Sequence, residues 1–84
     1  MSDVHEIEGE LIGFLRREVF AESMDVDRDA DLVELGFDSM SLVRLLLFVE
    51  KKFGIWISEE EIANASIISV SALAEIIAPH CHGK

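Results

Sequence analysis

A serine that directly follows an aspartate, Asp38-Ser39, opens a leucine-rich segment without glycine or proline. Aspartate is a preferred helix cap, so Ser39 is predicted to be the first residue of a helix, with its hydroxyl exposed. Unpaired backbone N–H groups and the positive end of the helix dipole favour a phosphate at such a position. The pattern is compatible with a serine that only assists the cap, which is the commoner situation, and with a phosphodiester on Ser39.

The alternating aspartates before this segment suggest a calcium loop, which their surroundings do not support. Asp25, Asp27 and Asp29 have the spacing of the first three ligands of an EF-hand. That loop requires glycine at its sixth position and a bidentate glutamate at its twelfth, where this chain has Ala30 and Gly36. We therefore predict an acidic solvated loop rather than a metal site.

Two further arrangements with chemical potential are also weak. His80-Cys81-His82 could bind a metal or supply a reactive thiol, but three adjacent residues after Pro79 do not converge on one ion, and we predict a frayed tail. A hydrolase using Ser39 lacks the G-x-S-x-G glycine after the serine and an evident His-Asp pair. We predict neither a catalytic residue nor a metal site.

The spacing of apolar residues places Ser39 on the second of four predicted helices. This helix extends from Ser39 to Phe53 and ends at Gly54, with Lys51 and Lys52 near its negative end. A first helix, capped by Asp3-x-x-Glu6, is predicted to continue to about Phe20 on a stripe of Val4, Ile7, Leu11, Phe14 and Leu15. The long acidic connection over 21–38 separates the two helices, and connections of this length are usually functional.

Serines mark the starts of the last two predicted helices. Ser58-x-x-Glu61 is a capping box for a short third helix through about Asn64. Ser69 caps a fourth helix that Pro79 is predicted to stop and whose shared face consists of Val70, Leu73, Ala74 and Ile77. The prediction is an all-α four-helix bundle with a long first loop and a short third helix. It forms one domain over 1–84, with a folded core of about 3–78 and a tail of 79–84.

Composition limits the classes of partner. The chain has 84 residues, of which 50% are hydrophobic, and a formal net charge of −10. Such a charge repels nucleic acid and anionic membranes, and no apolar run is long enough to span a bilayer. Because the start resembles no signal peptide and Cys81 is the single cysteine, we expect a cytoplasmic protein, and we expect a monomer.

The second helix is predicted to have two apolar faces. Advancing about 100° per residue places the core stripe at Leu42, Leu45, Leu46, Val49 and Phe53. The opposite side carries a face with the composition of a partner-binding patch: Met40, Val43, Arg44, Leu47 and Lys51. The alternative is a helix buried on both sides. Trp56, between Ile55 and Ile57, is predicted to fill the bundle beneath the second loop.

One segment resembles the attachment motif of acyl and peptidyl carrier proteins, in which an apolar pair, a leucine and a glycine precede the serine. It reads Leu32-Val33-Glu34-Leu35-Gly36-Phe37-Asp38-Ser39-Met40. The resemblance covers nearly the whole chain, because four further features lie where the family has them: the long first loop, the helix end at Phe53-Gly54-Ile55, the short acidic third helix, and Ser69-Val70-x-x-Leu73. It implies a bundle of the acyl-carrier type.

The resemblance implies a carrier and not an enzyme. In the family, a phosphopantetheinyl transferase moves the 4'-phosphopantetheine of coenzyme A onto the serine, here Ser39 beside the capping Asp38. The terminal thiol then carries an acyl or aminoacyl group as a thioester, so the cofactor supplies the reactive sulfur. The implied partners are that transferase, an adenylating or acyl-loading enzyme, and a downstream modifying or transfer enzyme.

The motif is compatible with more than one cargo. Fatty-acid carriers are commonly acidic along the second helix, where this chain has Arg44, Lys51 and Lys52. Peptidyl carriers often have glycine and histidine before the serine, where this chain has Phe37 and Asp38 in the acyl-carrier style. We favour a stand-alone aminoacyl carrier of secondary-metabolite biosynthesis. The alternatives are an acyl carrier of a polyketide or fatty-acid type pathway, and a helical interaction module without a prosthetic group.

Overall fold

The computed structural model describes residues 4–82 and is helical throughout its regular structure there. It has the predicted element order of α1 (Val4–Glu18), α2 (Ser39–Phe53), α3 (Glu59–Ala63) and α4 (Val70–His82). The all-α four-helix prediction is confirmed, including the long first loop and the short third helix. Asp3, the predicted cap of α1, lies outside the described residues.

The core forms mainly between α1 and α4, and α2 and the loops complete it. The stripe predicted for α1 is buried at Ile7, Leu11, Phe14 and Leu15. The shared face predicted for α4 is also buried, at Val70, Leu73, Ala74 and Ile77. On α2, the buried side chains are Leu45, Leu46 and Val49, with Leu42 and Phe53 partly buried beside them. The three helices thus bury one face each, which is the arrangement that amphipathic periodicity predicts.

The long loop over 19–38 is held to α1 and α4 at several points. Its Leu32 N–H donates to the Ile68 carbonyl at 2.8 Å, and its Arg28 carbonyl accepts from the Ser71 N–H at 2.9 Å. The Arg28 guanidinium forms two hydrogen bonds, of 3.0 and 2.6 Å, to the carboxylate of Glu8 on α1. This pairing lowers the pKa of Glu8 against the opposing effect of its burial. The loop is therefore an ordered layer of the bundle.

The predicted caps of α2, α3 and α4 are confirmed. Gly54 ends α2 in the left-handed conformation, with φ of 69°, and donates its N–H to the Glu50 carbonyl at 2.9 Å. Ser58 and Glu61 form a reciprocal capping box at α3. Ser69 accepts the Ala72 N–H at 3.1 Å at the start of α4.

Two predicted helix ends differ from the structure. Helix α1 ends at Glu18, and the following Phe20 N–H turns back to the Leu15 carbonyl at 2.7 Å. The prediction that Pro79 stops α4 is wrong, because the helix continues to His82. Proline removes a single hydrogen-bond donor from the last turn, while buried Ala78 and half-buried Cys81 still pack against the core. His80, predicted in a frayed tail, lies 2.9 Å from Glu61 of α3.

Candidate functional site

A tight turn at the end of the long loop places Ser39. The N–H groups of Leu35 and Phe37 both donate to the Leu32 carbonyl, at 3.0 and 2.9 Å. Gly36 has φ of 113°, a backbone conformation that side chains with a Cβ rarely adopt. The turn buries Leu32 and Phe37 in the core. Because Phe37 is anchored two residues before Ser39, the start of α2 is fixed relative to the bundle.

Asp38 caps α2 as predicted. Its Oδ1 accepts both the backbone N–H and the hydroxyl of Ser41, each at 3.0 Å. These hydrogen bonds from Ser41 lower the pKa of Asp38, and the N–H of Met40 acts in the same direction. The carboxylate therefore stays ionised at neutral pH. It accepts the backbone N–H of Ser41, one of the helix-start donors that were expected to be available to a phosphate.

Ser39 is exposed at the first position of α2. Beside it lies a shallow depression of about 220 Å³ that is mostly apolar. Its lining residues are Val33, Phe37, Asp38, Ser39, Leu42 and Ile68. Ser39 is therefore open to solvent, with apolar side chains beside it.

The outer face of α2 is exposed over its whole length. The predicted patch residues Met40, Val43, Arg44, Leu47 and Lys51 are all exposed. Leu47 has 51% of its side-chain surface in contact with solvent, whereas Leu45 on the opposite side has 1%. The alternative of a helix buried on both sides is therefore wrong. The prediction that one face of α2 is buried and the opposite apolar face is exposed is confirmed.

Trp56 does not fill the bundle, and that prediction is wrong. Its side chain is 62% exposed, while its neighbours Ile55 and Ile57 are buried. The alternation of an extended segment directs every second side chain to the same side, so burying both isoleucines turns the indole outward. Trp56 lines a groove of about 430 Å³ together with Val43 and Leu47 of α2. The alternating Ile-Trp-Ile pattern was the signal in the sequence that could have indicated this exposure.

A model of the family described as phosphopantetheine attachment site matches residues 15–77, which is more than half of the chain. The chain belongs to this family. Neither a curated protein nor a solved structure matches the chain significantly.

Membership of the phosphopantetheine attachment family identifies the cofactor as 4'-phosphopantetheine and the protein as a carrier. Carrier domains of this family are not catalytic themselves; they interact with a phosphopantetheinyl transferase and with partner enzymes. The family model includes the turn, Ser39 and the exposed face of α2. Within residues 4–82, no helix is long and apolar enough to cross a membrane.

Two of the alternating aspartates accept hydrogen bonds from groups of the chain itself. Asp27 Oδ1 accepts the Asp29 N–H at 2.9 Å, and Asp29 Oδ1 accepts the Ser71 hydroxyl at 3.0 Å. These are turn and tethering contacts of the loop in this carrier. Among the described side chains, no group of three or more His, Cys, Asp or Glu residues could hold a metal ion.

Proposed function

We propose that Ser39 is the attachment residue and that the chain carries an aminoacyl group as a thioester on the phosphopantetheine arm. The observation that supports this most is the exposed Ser39 hydroxyl at the first position of α2, directly after the Gly36-Phe37-Asp38 turn. No general base is needed on the carrier, because a transferase supplies the catalysis and coenzyme A supplies the group.

The attachment step forms a bond between Ser39 Oγ and the phosphorus next to the pantetheine of coenzyme A. The pyrophosphate bond to that phosphorus breaks, adenosine 3',5'-bisphosphate leaves, and the hydroxyl proton goes to the transferase or to water. The residues present fit this arm: Ser39 is accessible, and Val33, Leu42 and Ile68 offer an apolar surface beside it. When bound, the arm supplies the thiol that accepts the cargo.

The preference for an aminoacyl cargo rests on the charges of α2. Arg44 and Lys51 are exposed on the outer face, whereas fatty-acid carriers are commonly acidic there. Lys52 lies on the other side of the helix, 3.4 Å from the carboxylate of Glu10 on α1. An acyl cargo remains the second candidate, because Phe37-Asp38 before the serine is in the acyl-carrier style.

The proposal extends to the context in which the carrier works. We propose one carrier domain over 1–84 that acts as a monomer in the cytoplasm, where a reducing environment keeps the thiol of the arm free. An adenylating or other loading enzyme acylates the arm, and a downstream enzyme accepts or modifies the cargo. Gel filtration with light scattering and cell fractionation test the monomeric state and the location.

The attachment residue is tested by intact mass. The wild type, Ser39→Ala and Ser66→Ala are incubated with coenzyme A and a broad-specificity phosphopantetheinyl transferase. Ser66 is the control, because it is exposed like Ser39 but lies in the segment between α3 and α4. We expect one added phosphopantetheine on the wild type and on Ser66→Ala, and none on Ser39→Ala. Addition to Ser39→Ala would place the attachment elsewhere.

The cargo is tested on the modified protein. Panels of amino acids with ATP and adenylating enzymes, and of acyl-coenzyme A donors with acyl-loading enzymes, are followed by intact mass. Aminoacyl thioesters that form in preference to acyl thioesters support the proposal. Loading only by acyl donors would replace it with the acyl alternative.

A further inference from the structure

A groove of about 370 Å³ lies between the end of α1 and α2, and it is named here the α1–α2 groove. Its floor is apolar, because the rings of Phe14 on α1 and Phe48 on α2 stack there with their centroids 4.6 Å apart. The exposed side chain of Leu47 lines it as well. The groove beside Trp56 involves the start of α3 instead. The α1–α2 groove is therefore a separate surface that can take an apolar group.

The rim of the α1–α2 groove is charged. Its cations come from two helices, with Arg17 on α1 and Arg44 and Lys51 on α2, and all three side chains are exposed. Glu18 is the single acid among the lining residues, and its backbone carbonyl accepts from Arg44 Nη1 at 3.2 Å. The Glu18 carboxylate is also on an exposed residue. Three cations and one carboxylate thus surround an apolar floor.

The three groove cations lack carboxylate partners. Lys52, the neighbour of Lys51, pairs with Glu10 at 3.4 Å on the other side of the helix. No ion pair joins a groove cation to a carboxylate within residues 4–82. In a chain with 17 acidic and 7 basic residues, cations without a carboxylate partner are unexpected. Their position around an apolar floor favours an organic anion as the ligand.

The groove lies within reach of an arm attached to Ser39. Arg44 follows Ser39 by five residues, which is about 7.5 Å along the helix, and Lys51 lies about 18 Å along it. The phosphopantetheine arm has about as many chain atoms as five extended residues, so it spans about 16–18 Å. The end of the arm can therefore bring its cargo between Arg44 and Lys51.

We propose that the α1–α2 groove holds the chain's own cargo and that this cargo is an aminoacyl group with an acidic side chain, aspartyl or glutamyl. Arg44 and Lys51 face its side-chain carboxylate, Glu18 faces its α-ammonium group, and Phe48 contacts its methylene groups. A neutral aminoacyl group leaves the cations without a partner, and a dicarboxylic acyl group leaves Glu18 without one. The inference rests on the proposed aminoacyl carrier function and adds the class of amino acid.

Three arms that differ by one group test the inference. The glutamyl arm is compared with the glutaminyl arm, which replaces the carboxylate by an amide of the same shape, and with the glutaryl arm, which lacks the α-amino group. A transferase attaches each arm from a coenzyme A analogue with an amine in place of the thiol, so that the cargo is held by a stable amide. Intact mass verifies attachment first. Failure of attachment contradicts the proposed function, whereas attached arms that behave alike contradict only the present inference.

Two measurements report occupancy of the groove. In proton–nitrogen NMR spectra at low salt, we expect the amide signals of Arg44, Leu47 and Lys51 to differ between the glutamyl and glutaminyl proteins, and the differences to shrink as salt is added. We expect Tm to be about 2–6 °C higher with the glutamyl arm than with the glutaminyl arm. The sign is informative, because one more negative charge outside the groove does not stabilise a chain with a net charge of −10. The glutaryl protein should have an intermediate Tm.

Substitutions identify the groups that hold the cargo. Arg44→Gln with Lys51→Gln should remove the difference between the glutamyl and glutaminyl proteins, and Glu18→Gln should remove the advantage of glutamyl over glutaryl. The matched control is Arg16→Gln with Lys52→Gln, which changes the net charge equally outside the groove and should keep both differences. Circular dichroism checks the fold of each variant. The proposal is overturned by identical spectra of the glutamyl and glutaminyl proteins, by a glutaryl protein with a Tm as high as the glutamyl protein, or by equal effects of the two double variants.

Discussion

Two leucines on the same helix give the sharpest test of the two faces of α2. Leu45 is 1% exposed in the core, and Leu47 is 51% exposed on the outer face of α2. The substitutions Leu45→Ala and Leu47→Ala remove the same atoms from the same type of backbone. Differences in the free energy of unfolding therefore report the surroundings of the two side chains.

The expected loss of unfolding free energy in each variant follows from the burial of the leucine that is replaced. Leu45→Ala loses the transfer free energy of a buried side chain and leaves a cavity, which costs about 2–5 kcal/mol. Leu47→Ala loses about half of that transfer free energy and leaves no enclosed cavity, so it costs about 0.8–1.5 kcal/mol. An 84-residue domain has a total stability of about 4–13 kcal/mol, so the first variant loses a large part of it. A loss of 3 kcal/mol lowers Tm by about 12–24 °C in a domain of this size.

Urea denaturation followed by circular dichroism measures both variants. Tryptophan emission is a poor probe of unfolding here, because Trp56 is already exposed in the folded state. Mass spectrometry after the transferase reaction shows whether Leu47→Ala still accepts the arm, as we expect of a folded carrier. Equal losses of stability in the two variants would refute the assignment of the faces.

Three further substitutions test other parts of the structure. Pairing with Arg28 lowers the pKa of Glu8 in the folded protein. The pair therefore stabilises the fold fully at pH values above the ordinary pKa of glutamate. This stabilisation is lost as the pH falls through the lowered pKa of the folded state. Glu8→Gln should therefore flatten the decrease in urea midpoint between neutral and acidic pH, and an unchanged decrease would contradict this. Gly54→Ala should lower the urea midpoint, because alanine is strained at a φ of 69°. An unchanged midpoint would show that residue 54 does not adopt the left-handed conformation at the end of α2. Pro79→Ala should raise Tm, because α4 continues past this position and alanine restores a donor, and no change would favour a helix that stops there.

The parts of the fold that local chemistry determines were predictable. Helix α2 begins after the capping Asp38 and ends at Gly54, which adopts the left-handed conformation. Both signals are visible in the sequence. The capping box of Ser58 and Glu61 is equally local. Each of these signals acts over three or four residues, so no tertiary information is needed to use it.

The errors arise where tertiary contacts override local preference. Pro79 ends many helices, but here the packing of the last turn of α4 outweighs one missing hydrogen bond. Trp56 is large and apolar, and its exposure follows from the two buried isoleucines beside it rather than from its own type. Arg17 lines the same groove as Arg44 only because the bundle brings the end of α1 beside α2, since the two residues are 27 positions apart in the sequence.

The start of α2 shows a further limit of sequence patterns. The start of a helix was expected to offer free N–H donors at Ser39, and the structure directs the Ser41 donor to Asp38. The capping carboxylate of Asp38 takes up this donor and places a negative charge at the start of α2. Ser39 itself is exposed there.

The central claim is that the phosphopantetheine arm is attached at Ser39, and mapping the modified residue tests it most directly. The wild-type protein is converted with coenzyme A and a phosphopantetheinyl transferase, digested, and fragmented in a mass spectrometer. We predict that the whole added group lies on the peptide containing Asp38-Ser39-Met40 and that fragmentation places it on Ser39. Recovery of that peptide unmodified, with the group on another residue or with none added by several transferases, would contradict the account.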